Sequence, residues 1–396
     1  MRTSRCWINC GVRATCTRSR FGEMSNRSRT FSITLRIRRS CAVGGSGSTP
    51  SPDPVWCCGG SKRAMSRPCG RPMGVSHACT KLVRLCMLST CAPVGYQPFC
   101  TEEVHMTQLA RDTQQQLADY YRCFLGDPAQ LVAAQQSVRS SRKIVEFLED
   151  EWTVAEERLV DRRELPATRE AFLPWYLMCE KKINEDIRFF VDFLRFQASV
   201  EQVAYYICME EMVDGSFDDL MALAQLGMPI RCKMIAAENY WDEMGNGDFA
   251  AVHTTMFRTS SSYMRDVLVN AGINVEAPPL ECLMNGNILL MWAIRREYNM
   301  RLIGAMGLVE GSAPVRFGAT TAAMERLGLP KDVIAYHKAH ISIDTRHSAA
   351  WYGTVLEHYA TGGEDVVREL SLGVMIRYNV ALRYYHFMYK TMRSLG

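Results

Sequence analysis

The chain has 396 residues, 47% apolar and 22% charged, with 46 Lys and Arg against 42 Asp and Glu and a net charge of +4. That length suits one large or two ordinary domains, but the average hides two unlike segments. Residues 1–105 carry 16 basic against 4 acidic side chains and 11 of the 16 cysteines, whereas residues 106–396 carry 30 basic against 38 acidic. The basic excess belongs to the first segment, so nothing indicates a nucleic-acid groove in the mildly acidic remainder. No apolar run reaches the roughly 18 residues that span a bilayer; the richest, 282–294, is interrupted by Asn285, Gly286 and Asn287. A soluble, cytoplasmic protein is expected.

Residues 1–105 are of low complexity, rich in Cys, Arg and Ser, with runs such as 43–52 and no sustained helical or strand period. They read as a disordered extension without a packed core. A transit peptide would be long and poorly amphipathic, and a disulfide framework lacks a preceding apolar signal core. The simpler expectation is that the assigned start lies too far upstream and the functional protein begins near Met106. Metal binding by these cysteines is not expected, because no Cys/His spacing repeats.

From Met106 apolar residues recur at helical spacing, as in Ile144, Phe147 and Leu148, in Phe189, Phe190, Phe193 and Leu194, and in Val203, Ile207, Phe217 and Leu220. Asp127 before Pro128 and Ser199 before a Glu-containing first turn mark helix starts. Breakers at 126–128, 165–166, 227–229, 277–279, 311–314, 328–330 and 362–363 divide residues 106–396 into about eight helices, the elements of a single all-α domain. Cys123, Cys179, Cys208, Cys232 and Cys282 fall inside these patterns without metal or redox spacing and read as reduced core residues.

Two segments carry chemistry. In 340–347, His340, Asp344 and His347 stand at i, i+4 and i+7, one stripe of a helix, and His337 extends it backwards. Ile334 and Trp351 on nearly the same side turn that stripe toward a bundle interior. In 239–253, Glu243 and His253 are ten apart, about 80° out of phase on an ideal helix, so both can meet one ion only across a distortion, which Gly245 and Gly247 permit. Glu210 shares the apolar phase of a helix 200–224 while Glu211 does not, so Glu210 faces inward; a metal ion would satisfy it, with a core Arg or Lys a close second. Glu310 closes an apolar run just before Gly311, where a carboxylate at a helix C-terminus is disfavoured unless a positive charge is near; exposure to solvent is the other reading. Glu210, Glu243, His253, Glu310, His340, Asp344 and His347 thus form an inventory of N and O donors without thiolate, suited to two iron or manganese ions rather than a structural zinc.

The sequence Asp242-Glu243-Met244-Gly245-Asn246-Gly247 followed by His253, then Glu310, then His340, Asp344 and His347, resembles the heme-oxygenase-like diiron oxidase and oxygenase superfamily, the iron-containing redox enzymes. The likeness covers roughly Ala198 to Lys390, and more loosely the body from Met106. It implies a heme-oxygenase-like (TenA-like) helical bundle and a non-heme diiron oxidoreductase, a monooxygenase or oxidase, with those seven residues as ligands. It further implies two irons per chain cycling between Fe(II) and Fe(III), O2 as co-substrate and a peroxo intermediate. N-oxygenation of a small amine or amino acid is the expected reaction, because members that decarboxylate fatty acids tend to have a sparser second site; oxidative C–C cleavage, desaturation or decarboxylation is the same-fold alternative. No proximal-His helix of true heme oxygenases is evident. A non-catalytic helical interaction or metal-storage protein is the alternative of another class, and a thiaminase-like hydrolase would need a His beside Cys208 or Cys232. Expected partners are the small-molecule substrate, with room for an external electron donor and a homodimeric state, and neither nucleic acid nor membrane. Arg295, Arg296, Arg316 and Arg346 could clamp a substrate carboxylate, although arginines beside carboxylate-rich sites are more often structural.

Overall fold

The structure, a computed structural model, describes residues 5–8, 12–15 and 101–395 apart from 276, with side chains at Gln108 and from Ala110 onward. The chain divides into two units, Met1–Arg71 and Pro72–Gly396. In the first, β1 (Arg5–Ile8) pairs antiparallel with β2 (Val12–Thr15), placing Arg5 opposite Thr15 and Ile8 opposite Val12. Of the extension expected over 1–105, residues 101–105 begin the first helix of the second unit, and the others apart from these two strands lie outside the described residues.

Among the described residues the second unit is all-α. Its elements are α1 (Thr101–Phe124), α2 (Pro128–Glu157), α3 (Arg169–Asp186), α4 (Arg188–Phe196), α5 (Val200–Asp214), α6 (Phe217–Ala224), α7 (Ile230–Glu243), α8 (His253–Asn270), α9 (Leu280–Ile294), α10 (Asn299–Arg326), α11 (Lys331–Ala350) and α12 (Glu364–Ser394). The two expected starts are present: Asp127 accepts from the Ala129 amide ahead of Pro128, and Ser199 forms a reciprocal capping box with Gln202. No helix among the described residues is long and apolar enough to cross a membrane.

Three features depart from the sequence pattern. The helix expected over 200–224 breaks at Gly215 and Ser216 into α5 and α6. Conversely, 311–314 does not end a helix, because α10 runs straight through Gly311 and Pro314. Glu310 is therefore mid-helix and the dipole argument for it falls; Pro314 lacks the amide that would bond to the carbonyl of Glu310, a loss a buried and well-packed helix tolerates. Thirdly, Ile144 and Phe147 on α2 are exposed, and the inward face is Val145, Glu149, Trp152 and Glu156. Two buried carboxylates disguised that face. Glu149 is held by Arg295 at 2.7 Å and by the Tyr121 hydroxyl at 2.8 Å, and Glu156 by Arg383 at 2.6 Å.

The bundle is organised around α10, which packs against α11 on one side and α12 on the other. The α10–α12 crossing is a backbone-to-backbone contact: a Cβ at Gly304 would collide with the Leu370 carbonyl, and one at Gly373 with the Arg301 carbonyl. This tight crossing seats α10 so that Glu310, Ala313 and Phe317 all lie in the interior.

Candidate metal centre

Of the seven residues read as ligands, the structure gathers six into two groups of three. Glu243, His253 and His340 form one, Glu310, Asp344 and His347 the other, and within each group one donor atom per residue lies within 4.8 Å of the others. All six side chains are buried. Helix α11 supplies His340 to the first group and Asp344 and His347 to the second, as the i, i+4, i+7 stripe requires. The facing donors arrive from α7 (Glu243), the first residue of α8 (His253) and the middle of α10 (Glu310).

The distortion demanded between Glu243 and His253 is present. Helix α7 ends at Glu243, and Gly245, Asn246 and Gly247 follow with φ of +60°, +52° and +89°. A left-handed run of three residues is cheap only where Gly or Asn supplies it. The loop then re-enters as α8 at His253, whose Nδ1 lies 2.9 Å from Glu243 Oε2.

That contact tests whether a metal fits. His253 Nδ1 is buried and, apart from this close approach to Glu243, has no hydrogen-bond partner among the described residues. Two buried donor atoms converging in this way can take one cation between them. The tautomers agree. His340 Nδ1 donates to the Tyr336 carbonyl at 2.8 Å, so its unprotonated Nε2 faces Glu243 Oε1 at 3.9 Å. His347 donates from Nε2 to Asp242 Oδ2 at 2.8 Å, which turns Nδ1 toward Glu310 Oε2 at 3.7 Å. An imidazole whose far nitrogen is held by a carbonyl or carboxylate is the usual outer support of a metal-binding histidine.

The electrostatics show what the cluster lacks. Burial, then the charges of Glu310 and Glu243, push the Asp344 carboxyl well above the usual carboxylate range. Burial also raises Glu243, against the opposing pull of His253. Burial, then the neighbouring His253, depress His340 well below an ordinary imidazole. Burial works against a charged His347, but Glu310 and then Asp242 outweigh it and its pKa rises. Glu243 and Asp344 are thus both raised by burial among like charges, and bound cations would reverse this.

Glu210, the seventh residue, is brought to neither group. It is buried as expected, but its Oε1 is taken by Arg316 and, at 2.5 Å, by the Tyr206 hydroxyl, while Oε2 lies 3.3 Å from His337 Nε2. The core-arginine reading, left open by phase alone, is the one observed. Arg316 also reaches Asp214 at 3.4 Å. The other candidate clamps are similarly engaged: Arg295 pairs with Glu149, Arg296 binds the Leu226 carbonyl and Arg346 pairs with Asp242.

Two supporting residues, one of them inside the quoted motif, had no role assigned from the sequence. Asn239 donates to Glu310 Oε1 at 2.8 Å, and Asp242 holds His347. A signal existed: Asn239, Asp242 and Glu243 stand at i, i+3 and i+4 on α7, one face. Cys208 and Cys232 are buried free thiols, their nearest polar partners being the carbonyls of Ser261 and Thr354.

Residues 204–381 match the model of a family described as iron-containing redox enzyme. The matched span contains all six grouped donors, and the all-α body that carries it is heme-oxygenase-like, as the motifs implied. No curated protein matches. Among solved structures, a CADD-like protein of unknown function from Nostoc punctiforme is 16% identical with a TM-score of 0.42, covering 55% of this chain and 97% of that one. A domain of unknown function with a heme oxygenase-like fold from Shewanella denitrificans is 14% identical with a TM-score of 0.43, covering 56% and 91%.

Proposed function

We propose, from the iron-containing redox enzyme domain that this chain carries over residues 204–381, that the protein is a cytoplasmic non-heme diiron oxidoreductase. It uses O2 on a small amine or amino acid, with N-oxygenation as the leading reaction. The observation that carries the reading is the pair of three-residue donor groups sharing helix α11. Glu243, His253 and His340 would hold one iron, and Glu310, Asp344 and His347 the other. When bound, the two irons supply the electrons that activate O2.

The chain's own residues prepare that site. The Tyr336 carbonyl and Asp242 fix which nitrogen of His340 and of His347 points inward. Asn239 holds one oxygen of Glu310 and leaves the other facing His347. Phe257, Phe317 and Tyr336 pack around His340 and His337 and keep water from that side. Burial and like charges raise Glu243 and Asp344, and Glu310 and Asp242 raise His347; entering cations would reverse these shifts. N-oxygenation is preferred because a full second set of donors accompanies the first. An external donor would re-reduce the irons between turnovers, and the homodimeric state remains part of the proposal.

The test is anaerobic loading of the full chain with Fe(II), followed by O2 uptake over a panel of amino acids and amines. Two irons per chain and substrate-triggered uptake support the reading. Two irons without uptake on any member would leave a metal-storage protein, and no bound iron would remove the basis for both.

A further inference from the structure

A second buried polar cluster lies one layer of side chains from the donor groups. Glu210, Asp214, Asn285, Arg316, Arg377 and Tyr384 border a cavity of about 20 Å³, room for a single water or the end of a ligand. Its wall adjoins the metal centre through Glu210, which touches His337 one turn before His340 on α11.

Of two donors in this lining, Arg377 has no carboxylate partner among the described residues and the Tyr384 hydroxyl has no acceptor. Arg377, on α12, is 7% exposed, and its Nη1 donates to the Asn285 carbonyl at 3.0 Å and to Asn285 Oδ1 at 2.7 Å. Among the described residues no carboxylate lies within 4 Å of it, unlike Arg295, Arg301, Arg316, Arg346 and Arg383. Seven residues further along the same face, Tyr384 is 2% exposed and its hydroxyl is buried with no hydrogen-bond partner. A buried guanidinium and a buried hydroxyl are each costly unless paired, and burial lowers Arg377 to about 10. The two nearby carboxylates, Glu210 and Asp214, pair with Arg316, and neither lies within 4 Å of Arg377.

We propose that Arg377 and Tyr384 form a carboxylate-binding subsite that anchors the acid end of the substrate beside the donor groups. The guanidinium presents its remaining N–H groups to one face of the carboxylate and Tyr384 donates a further hydrogen bond, displacing whatever water fills the cavity. This deepens the proposed function by making the substrate an acid, an amino acid rather than a simple amine. It rests on that reading for the word substrate, but not for the binding.

Calorimetric titration of the full chain with hexanoate, hexanamide, hexylamine and 6-aminohexanoate tests the subsite with no variant needed. Hexanoate and 6-aminohexanoate are expected to bind at least tenfold more tightly than hexanamide or hexylamine. R377M is expected to abolish that preference and Y384F to weaken it several-fold, with iron per chain and helical circular dichroism unchanged. Equal binding of acid and amide, no binding of any probe, or an acid preference that survives in R377M would overturn the subsite; should R377M not fold, the wild-type comparison and Y384F decide. Loss of iron binding with the acid preference intact would instead remove the diiron reading and leave the subsite standing.

Discussion

Asp242 and Glu243, adjacent at the end of α7, serve different donor groups: Glu243 meets His253 at 2.9 Å, while Asp242 accepts from His347 at 2.8 Å. One turn of helix therefore braces both halves of the centre. D242N keeps the shape but weakens the acceptor that fixes His347 with Nδ1 inward, and removes the charge facing Arg346. We expect iron affinity at the second group to fall about 10–100-fold, with the first group retained. Iron per chain after desalting should drop from two toward one, whereas E243Q should empty the first group instead.

Glu210 supplies a contrasting case. E210Q leaves Arg316 with only Asp214, inside a core where breaking a buried pair costs about 3–5 kcal/mol. Thermal unfolding should fall markedly while iron per chain stays at two. If E210Q lowered the iron content, Glu210 would have to leave Arg316 and join the ligands when metal binds.

The shifted groups set a pH dependence. Asp344, Glu243 and His347 have raised values, and Asp214 is pushed up to about 7. The folded metal-free chain therefore holds more protons than the unfolded one at neutral pH, and each such contribution is lost as pH rises through the folded value. His340, depressed, acts in the opposite sense only below its ordinary value near 6.5. Glu210 and Asp242, held low, act only below the ordinary carboxylate range. Upward from about pH 6.5, through the Asp214 value of about 7, the Tm of metal-free protein should fall, and the Tm gain on adding Fe(II) should grow. Calorimetry across that range, with and without metal, measures both; a metal-induced gain independent of pH would contradict the assignment.

Gly245 sits at φ +60°, and a Cβ there would meet the backbone of Ala251 and Val252 just before His253. G245A therefore adds a steric conflict to a backbone cost of about 1–2 kcal/mol. The strain falls on the segment that places His253 opposite Glu243. We expect loss of metal at the first group with most of the fold retained, read as iron per chain against helical circular dichroism.

Much of this was legible from residue order because it is local. The i, i+4, i+7 stripe of α11, the caps at Asp127 and Ser199, and the need for a glycine-permitted bend between Glu243 and His253 all follow from backbone geometry over a few residues. The inward face of α2 misled, since Glu149 and Glu156 read as solvent-facing until Arg295 and Arg383 are seen to cover them. The continuity of α10 through Pro314 was likewise hidden, because packing against α11 and α12 outweighs one lost hydrogen bond.

The kinds of donor atom, their helical phase and the all-α class were therefore properties of the amino-acid order alone. Which donors meet was settled by how the helices pack. Glu210 and Arg316 are 106 residues apart, and His347 and Asp242 105. No periodicity reaches across such separations, so only the seating of α10 between its neighbours could give Glu310 to the centre and Glu210 to an arginine.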